Sequence, residues 1–517
     1  MSADVPTNDI VITIMLETVH GAVSPVGDPD ELSRRRRVGI LLICSMSLLI
    51  VGLDVTIVNV ALPSIGRDYH ASVSGLQWTV DAYTLVLASL LMLSGSTADR
   101  FGRKRVFIVG LSVFATGSLL CSLAPSLGAL VAFRMLQGVG ASMLNPVAMS
   151  IITNTFVEPR ERAQAIGVWA AVVGVSMALG PVVGGVLVSS LGWRSIFWIN
   201  IPVGMAAIVL TLRFVPESRA PRARRLDPVG QGLVIGLLAS LTFGIIEAPT
   251  RGWGSPWIVG AFVVAAVSLV GLLLWERRRE EPLIDFRFFH SIPFSGAAAI
   301  AVAAFAALGG FLFLNTLYLQ EVRGFSPLDA GLATLPMAAM TMVLPPISGR
   351  IVGTRGPRIP LVIAGSALAV SCAMLSQLTG STPFWYLVVA YVVFGTGFGM
   401  VNAPITNAAV SGMPRAQASV ASAIASTSRQ VGQTLGVALV GALLAASVGL
   451  VLGTGGSTDA AHRAGLASAS HAGWWVLCGC GVAVLVLGLI VTSARALASA
   501  DRTAHLLNPE FLAGSAA

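Results

Sequence analysis

The chain has 517 residues, of which 55% are hydrophobic and only 11% are charged. Soluble domains carry about 25% charged residues, so this composition excludes an ordinary soluble protein. The net charge of +8 could suit a nucleic-acid-binding protein, but a mean hydropathy of +0.82 and long uncharged runs are typical of membrane proteins. Backbone groups in a bilayer must be hydrogen-bonded internally, and the alternating pattern of a barrel is not seen. We therefore predict an all-α polytopic membrane protein whose surroundings are the lipid bilayer, with no nucleic-acid partner.

Fourteen apolar runs are long enough to cross a bilayer, for which about 20 residues are needed. They begin near Val38, Leu76, Val106, Gly128, Ala163, Ser195, Val229, Trp257, Ile292, Asp329, Pro360, Phe384, Ala416 and Trp474. With the N-terminus inside the cell, 25 of the 32 Lys and Arg residues fall in cytoplasmic segments and five in outer loops. The positive-inside rule then predicts a multi-pass protein with both termini in the cytoplasm. The use of Arg in place of Lys is typical of a GC-rich bacterial genome, so we expect the bacterial inner (plasma) membrane.

Six spans, an inserted pair and six further spans give a predicted 6+2+6 order. The predicted segments are the N-terminal tail 1–37, a six-helix bundle 38–214, a linker 215–228, two inserted helices 229–275, a linker 276–291, a second six-helix bundle 292–495 and the C-terminal tail 496–517. No basic region precedes the short apolar run in the first tail, so a cleaved signal peptide is not expected. Both tails are polar and unpatterned, and we expect them to contribute little to function.

Short fragments recur at nearly one offset, which predicts that the two bundles are repeats. The pairs are 95–105 with 349–358, 162–165 with 415–418, and 138–145 with 395–402. Their offsets of 253 to 257 residues equal six spans plus the inserted pair.

The residue inventory excludes several kinds of catalysis. Lys104 is the only lysine and lies outside any Gly-Lys-Ser/Thr motif, so the chain is not a P-loop ATPase by itself. The five cysteines all fall in predicted spans, which argues against disulfides or a metal cluster. A membrane enzyme would need a His/Asp or metal constellation near a membrane face, and none is visible. We expect no enzyme activity, no catalytic residue, no metal and no cofactor.

A loop between the second and third spans combines glycines with charge. It reads Gly95-Ser-Thr-Ala-Asp99-Arg100-Phe-Gly102-Arg103-Lys104. Glycines allow a tight turn and close helix approach, while Asp99 can pair with Arg103 or meet a neighbouring helix N-terminus. The cations could serve only to set topology, but topology would not need Asp99 or two placed glycines. The second copy has Gly353 where Asp99 stands, which leaves the same role for that copy open.

The fifth span is rich in small residues. It holds Gly174, Gly180, Pro181, Gly184 and Gly185. Small residues let helices approach closely, and proline frees a backbone carbonyl and bends the helix. The stretch predicts either ordinary close packing or a hinge and seal between the two bundles.

Together these motifs resemble those of a known family. The charged loop is similar to the loop signature of the major facilitator superfamily, and the fifth-span glycines resemble the antiporter signature of its fifth helix. The stretch Leu53-Asp54-Val-Thr56-Ile-Val-Asn59-Val-Ala61-Leu-Pro63 resembles the first-helix motif of the fourteen-span drug:proton antiporters. The resemblance covers residues 38 to about 495. It implies the major facilitator fold, alternating access, and a loop formed by Gly95, Asp99, Arg100, Gly102 and Arg103 that acts as a latch, closed in the outward-open state.

Ionisable groups inside the spans are few, and each is costly in a bilayer. Asp54, Asp81 and Arg134 lie at similar depths on the first, second and fourth spans. Pairing of an Asp with Arg134 would offset part of the burial cost of both. We predict that these three residues carry proton coupling, because a carboxyl group that moves between water and a closed pocket can load and release a proton. The alternatives are a purely structural Asp54–Arg134 pair and an Asp81 that faces water.

Polar residues in the same and corresponding spans are the candidates for a substrate cavity: Asn59, Gln137, Arg429, Gln433 and Tyr391. Since the chain has no ATP chemistry, its work must come from an ion gradient. We predict a monomeric proton-driven efflux antiporter for amphipathic, often cationic, drugs or antibiotics, with rocking of the two bundles about a central cavity. A narrow-specificity exporter or importer of a metabolite with the same fold is the alternative, and a membrane enzyme is the least favoured class.

Overall fold

The computed structural model describes residues 33–220, 226–279, 282–411, 418–452 and 459–507. All regular elements in these ranges are helical. The first bundle comprises α1 (Arg34–Tyr69), α2 (Val73–Phe101), α3 (Arg103–Ser122), α4 (Leu127–Thr155), α5 (Pro159–Leu191), α6 (Ser195–Trp198) and α7 (Asn200–Phe214). Helices α8 (Pro228–Arg251) and α9 (Pro256–Glu276) form the inserted pair. A 3₁₀ turn at Phe286–His290 follows.

The second bundle begins with α10 (Ile292–Leu317), which continues into a π-helical turn at Tyr318–Val322. It is completed by α11 (Pro327–Ala333), α12 (Leu335–Arg355), α13 (Arg358–Leu375), α14 (Phe384–Val410), α15 (Ala418–Leu452) and α16 (Asp459–Val491), and α17 (Ala494–Leu507) follows. Among the residues described, 14 helical segments are long and apolar enough to cross a membrane, with α6–α7 and α11–α12 each counted as one. This confirms the predicted all-α fold of fourteen spans.

Alternating spans place the start of α1 and the end of α16 on one face of the molecule, which we call the terminal face. The opposite face, which carries His70 and Gly252, is the far face. Helix starts follow local chemistry: the hydroxyl of Ser72 accepts from Gly75 N at 3.2 Å and the carboxylate of Asp227 accepts from Gly230 N at 2.9 Å. Such caps satisfy backbone donors that have no partner inside the helix.

The two bundles pack by the same scheme, as the repeat predicts. Helix α4 packs on α2 and α3, and α14 packs correspondingly on α12 and α13. Glycine permits both approaches: a Cβ on Gly138 would lie 2.7 Å from the Tyr83 carbonyl, and one on Gly397 would lie 2.9 Å from the Ala364 carbonyl. The recurrent Gly-x-Gly fragment therefore permits close helix packing in each bundle.

Two seams join the bundles. In one seam α2 packs on α15, and in the other α5 packs on α11 and α12. The inserted helix α8 lies along the α2–α15 seam and contacts both of its helices, while α9 packs on α8. Two hydrogen bonds attach α8 to α2: Gln231 Nε2 to the Ser89 carbonyl at 2.6 Å and Trp78 Nε1 to Glu247 Oε1 at 2.9 Å. The inserted pair is thus bonded to the first bundle beside one seam.

The chain ends differ from the expected tails. Helix α1 begins at Arg34, four residues before the predicted span, with Ser33 as its N-cap. The expectation that the C-terminal tail is unpatterned is wrong for 496–507, which belong to the amphipathic helix α17. Its buried face includes Ser499, whose hydroxyl accepts from Ile292 N at 2.9 Å at the start of α10. Leu507 packs against a buried cluster that contains Phe288 and Phe294.

This packing predicts different effects for two truncations. A chain that ends at Ser493 loses the acceptor for Ile292 N and uncovers the cluster of Phe288 and Phe294. One lost hydrogen bond alone contributes about 1 kcal/mol, so we expect a measurable fall in the apparent Tm of the detergent-purified protein. A chain that ends at Leu507 keeps all of these contacts and serves as the control. Equal Tm values for the two truncations would show that α17 does not stabilise the fold.

Candidate functional site

A buried ion pair connects α1 and α4. Arg134 Nη1 donates to Asp54 Oδ2 at 2.5 Å and to Gln137 Oε1 at 2.8 Å. Gln137 Nε2 and Asn200 Nδ2 donate to Asp54 Oδ1 at 2.8 and 3.2 Å. The exposed fraction is 0% for Asp54 and 1% for Arg134. The predicted pairing of these two charges is therefore present, and both carboxylate oxygens have donors.

The cation is held as closely as the acid. Arg134 Nε donates to the Thr79 carbonyl at 3.1 Å, and the guanidinium carbon lies 4.2 Å from the ring centroid of Tyr83. Asn200 also donates to Ser118 Oγ at 3.0 Å. Charged and polar groups from five helices thus form one network inside the first bundle. The sequence analysis missed Asn200 and Ser118, although a lone Asn within an apolar span is itself a signal of a buried polar partner.

Asp81 lies outside that network. It is 0% exposed, and neither of its carboxylate oxygens has a hydrogen-bond partner among the described residues. Gln77 and Thr84, one helical turn to either side, both bond to α15: Gln77 Nε2 donates to the Ala438 carbonyl at 2.8 Å, and Thr84 Oγ1 accepts from Thr434 Oγ1 at 3.0 Å. Residues i−4 and i+3 share a helix face with residue i. Asp81 therefore lies in the α2–α15 seam between two bonded contacts, and it does not face water.

A narrow cleft lies between the bundles, with an internal volume of about 10 Å³, which is room for about one water molecule. Residues from α1, α5, α10 and α11 line it, including Asn59, Pro181, Asn315 and Thr316, together with Thr334 between α11 and α12. The amide oxygen of Asn59 is buried and has no partner within the described ranges, while its Nδ2 donates to the Val55 carbonyl at 2.8 Å. The cleft is too small for a drug-sized ligand in this closed structure, and the polar groups that line it are uncharged amides and hydroxyls.

The structure places some of the predicted cavity residues in the cleft and others away from it. Asn59 lines the cleft, but Gln137 and Tyr391 do not, because both are fully buried inside their own bundles. Gln137 is bonded to the Asp54–Arg134 pair, and the Tyr391 hydroxyl donates to Asn315 Oδ1. Gln433 is 5% exposed and lies against Gly309 on α10.

Arg429 lies elsewhere on the second bundle, where α10, α14 and α15 meet. Its Nη2 donates to Thr406 Oγ1 at 2.8 Å, and its Nε is buried without a partner in the described part of the chain. It is therefore less compensated than Arg134.

The small residues of α5 lie where close approach is needed. A Cβ on Gly184 would lie 2.7 Å from Ile57 Cγ1 on α1, and one on Gly185 would lie 2.7 Å from the Pro327 carbonyl at the start of α11. Gly180 faces Thr56, the carbonyl of Pro181 faces Gly331, and a Cβ on Gly174 would meet Met342 Cα at 3.5 Å. This part of α5 therefore packs tightly on α1 within its bundle and on α11 and α12 across the seam.

Polar contacts between the bundles run from mid-membrane to the far face. Among the described residues they include the α2–α15 bonds of Gln77 and Thr84, a bond from Gln320 Nε2 to the Val60 carbonyl at 2.8 Å, and an ion pair between Arg67 and Glu321 at 3.6 Å. Gln77 Nε2 also donates to the Val437 carbonyl at 3.2 Å. These contacts close the bundles together at the far face in this structure.

The charged loop lies on the terminal face and packs on the segment after α7. Gly102 has a φ of +112°, and Asp99 pairs with Arg103 Nη2 at 2.9 Å, as predicted. Asp99 O accepts from Ala220 N at 3.1 Å. Glu217 Oε1 accepts from Lys104 N at 3.1 Å. The sequence analysis missed Glu217, which supplies a second carboxylate to the loop.

The two remaining loop residues lie near their own bundle. A Cβ on Gly95 would lie 3.8 Å from Pro146 Cβ on α4. Arg100 is exposed, and its guanidinium carbon lies 6.0 Å from the ring centroid of Phe101. Among the residues described, no group of three or more His, Cys, Asp or Glu side chains could hold a metal ion.

Comparison with known proteins identifies the class. Residues 44–437 match the family described as Major Facilitator Superfamily, so the chain belongs to that family and is a multi-pass membrane transporter rather than an enzyme. The fold matches a solved structure of a D-xylose–proton symporter with a TM-score of 0.62 at 15% identity, over 87% of this chain and 97% of that one. At that identity the likeness shows the fold alone.

Curated relatives are considerably more similar in sequence. The chain is 36% identical to the multidrug resistance protein Stp of Mycobacterium tuberculosis (strain CDC 1551 / Oshkosh), over 78% of this chain and 75% of that protein. It is 38% identical to the tetracenomycin C resistance and export protein of Streptomyces glaucescens, over 79% of this chain and 76% of that protein. These comparisons confirm the family predicted from the sequence motifs.

The tight α5–α11 contact predicts that Gly185→Ala weakens closure at the far face. The new methyl group would meet the Pro327 carbonyl, which is backbone and cannot move aside. Overpacking costs about 1–3 kcal/mol, so access to the cleft should rise about tenfold. The measurement is labelling of Thr334→Cys by an impermeant maleimide in intact cells, in a background without the native cysteines.

Gly128→Ala is the matched control, because a Cβ at Gly128 has nothing within 4 Å. Labelling that is the same for both alanine variants would show that the α5–α11 contact does not limit opening.

The loop predicts unequal effects for Gly102→Ala and Gly356→Ala. Both glycines have positive φ, +112° and +80°, so both variants incur backbone strain of about 1–3 kcal/mol. A Cβ would lie 2.6 Å from Glu217 Oε1 at Gly102 but has nothing within 4 Å at Gly356. We expect Gly102→Ala to lower transport turnover more at equal amounts of membrane protein. Equal turnover would mean that the contact of the loop with Glu217 has no role in the cycle.

Proposed function

We propose that this protein is a proton-coupled efflux antiporter that exports amphipathic drugs or antibiotics by alternating access. The names of the two relatives, which refer to resistance and export, support this direction of transport. The terminal face is proposed to be cytoplasmic and the far face to be outside. One chain contains both bundles, both seams and the cleft, so the functional unit is proposed to be the monomer. The proton gradient is proposed as the energy source, without a cofactor.

The observation that carries the proton coupling is Asp81 in the α2–α15 seam. An ionised carboxylate that is buried without donors is costly, so the closed seam suits the neutral acid. Protonation of Asp81 from outside would let the two helices close on each other at the far face. Release of that proton to the cytoplasm, while the cleft is open at the terminal face, would leave a carboxylate that needs water or donors, and this need favours reopening of the seam. Protonation of one side chain is thereby linked to the position of the two bundles.

Asp54 has a different part in this proposal. Both of its oxygens already accept hydrogen bonds from Arg134, Gln137 and Asn200, so its charge is compensated without movement of the bundles. The network holds the helices of the first bundle together as it rocks. Of the three residues predicted to carry coupling, Asp81 is proposed as the proton carrier, and Asp54 with Arg134 as the structural support.

Transport in proteoliposomes with an imposed pH gradient tests this assignment, with cationic, neutral and anionic amphipathic dyes. Asp81→Asn should abolish accumulation of dye against its gradient while downhill exchange and binding persist. Asp54→Asn leaves Arg134 buried without its counter-charge, which costs about 3–5 kcal/mol. That variant should instead yield less monodisperse protein after detergent extraction.

The results separate the parts of the proposal. If Asp81→Asn still drives uphill transport from the pH gradient, Asp81 is not the carrier and Asp54 becomes the candidate. If the unmodified protein moves no dye uphill with the pH gradient, the antiport proposal itself fails.

A further inference from the structure

Arg429 is a charged residue inside a membrane span that has no charged partner among the described residues. It lies nine residues into the apolar segment Val420–Ser447, at a depth of about 13 Å along the helix axis. None of the ion pairs in the described part of the chain includes Arg429. Ionisable residues at such depth are costly and mark substrate or ion pathways.

Comparison with Arg134 shows what is missing. Arg134 has the Asp54 carboxylate, the Gln137 amide oxygen and the Thr79 carbonyl as acceptors. Within the described ranges Arg429 has one acceptor, the neutral hydroxyl of Thr406. Its Nε is buried and unpartnered there, so the described residues compensate this cation less completely than they compensate Arg134.

The surroundings of Arg429 combine an open side with an aromatic wall. Thr406 is exposed on α14, so the bonded end of the guanidinium reaches accessible space. The guanidinium carbon lies 6.0 Å from the ring centroid of Phe305 on α10. Phe305 makes an edge contact with Phe398 on α14 at 5.1 Å between centroids. A cation beside one aromatic ring, which itself packs on a second, suits a ligand that carries an anionic group on an apolar ring system.

We infer that Arg429 is a binding residue for an acidic group of the transported compound, and that the substrate class is aromatic amphiphiles that carry a carboxylate or phenolate. This inference rests on the proposed function and specifies its substrate. The sequence had favoured cationic compounds, which would need a free acid. Neither of the two intramembrane acids that the sequence offered for that role is open to a ligand, because Asp54 is paired with Arg134 and Asp81 is enclosed in the seam. The unengaged charge beside these aromatic rings is positive.

A structural role makes a different prediction. If Arg429 only joined α15 to α14 through Thr406, a neutral donor of similar length could replace it. Arg429→Gln keeps a donor and removes the charge, and Arg429→Lys keeps the charge and loses the planar fork. The pair therefore separates charge recognition from helix packing.

The test uses three probes with one ring system: 9-anthracenecarboxylate, its carboxamide, and 9-(aminomethyl)anthracene, with charges of −1, 0 and +1 at neutral pH. Binding is measured by fluorescence with the full chain in an uncharged detergent without added lipid. The unmodified protein should bind the carboxylate most tightly. Arg429→Gln should weaken carboxylate binding about tenfold, the loss of one hydrogen bond to a charged group, and leave carboxamide binding unchanged. Arg429→Lys should still bind the carboxylate more tightly than the carboxamide, with most of the difference retained.

Arg213→Gln is the matched control, since Arg213 is exposed at the end of α7, and it should bind all three probes like the unmodified protein. If the unmodified protein binds the carboxylate no more tightly than the carboxamide, the inference is wrong. If Arg429→Gln lowers binding of all three probes equally, Arg429 is structural, and the inference is wrong as well. Added phosphatidylglycerol that displaces the carboxylate as effectively as free probe would assign the cation to a lipid headgroup instead.

Failure of the proposed function would look different. Uphill movement of the carboxamide with a pH gradient reports antiport without any acidic group on the substrate. If the unmodified protein does not move the carboxamide uphill, antiport is contradicted. If it moves the carboxamide uphill but binds the carboxylate no more tightly than the carboxamide, only the role of Arg429 is contradicted.

Discussion

The compensation of charge inside the bilayer is the constraint on which this structure depends. The Asp54–Arg134 pair is almost completely enclosed, and a lone charge in its place would be far more costly than the pair. Gln137 and Asn200 satisfy the carboxylate, and the Thr79 carbonyl satisfies the guanidinium. These bonds tie α1 and α4 to α2 and α7, so the first bundle has a polar centre that holds its helices in one arrangement.

Two other charged positions are not compensated in this way by the described residues, and the proposals rest on them. Asp81 lacks donors because it lies in a seam between bundles, where its neighbours on the same face bond across to α15. Arg429 lacks an acid because its surroundings are a hydroxyl and aromatic rings. In the proposed cycle, Asp81 is neutralised by protonation while the seam is closed and is hydrated when the seam opens. The acidic group of the substrate supplies the counter-charge of Arg429. The need to compensate buried charge thus explains Asp54 with Arg134 as a structural pair, and it is the reason that Asp81 and Arg429 are proposed as functional groups.

Close backbone contact complements this electrostatic arrangement. Gly184 and Gly185 let α5 approach α1 on one side and α11 on the other, at distances that exclude a Cβ. The polar contacts between bundles lie from mid-membrane to the far face, where Gln320 reaches Val60 and Arg67 reaches Glu321. Alternating access needs interfaces that are closely packed in one state and separable in the other. Glycine surfaces with few polar bonds fit that requirement better than interlocked large side chains.

The sequence by itself determined the fold class, because fourteen long apolar runs in a bilayer leave the backbone little choice but helices. Its motifs also determined the family, and the rarity of charged residues within the apolar runs was enough to single out Asp54 with Arg134. Only the tertiary structure decided that Asn200 and Ser118 complete that network, that Gln137 and Tyr391 lie away from the cleft, and that Glu217 supports the charged loop. Only it showed that 494–507 form a packed helix. The physical reason is that hydropathy and spacing report how each helix meets lipid, whereas the partners of a polar side chain depend on which helices lie side by side and how each is rotated about its axis. Asp54 and Asp81 are alike in sequence terms, and their different surroundings follow from which helices lie beside each of them and from how those helices are rotated.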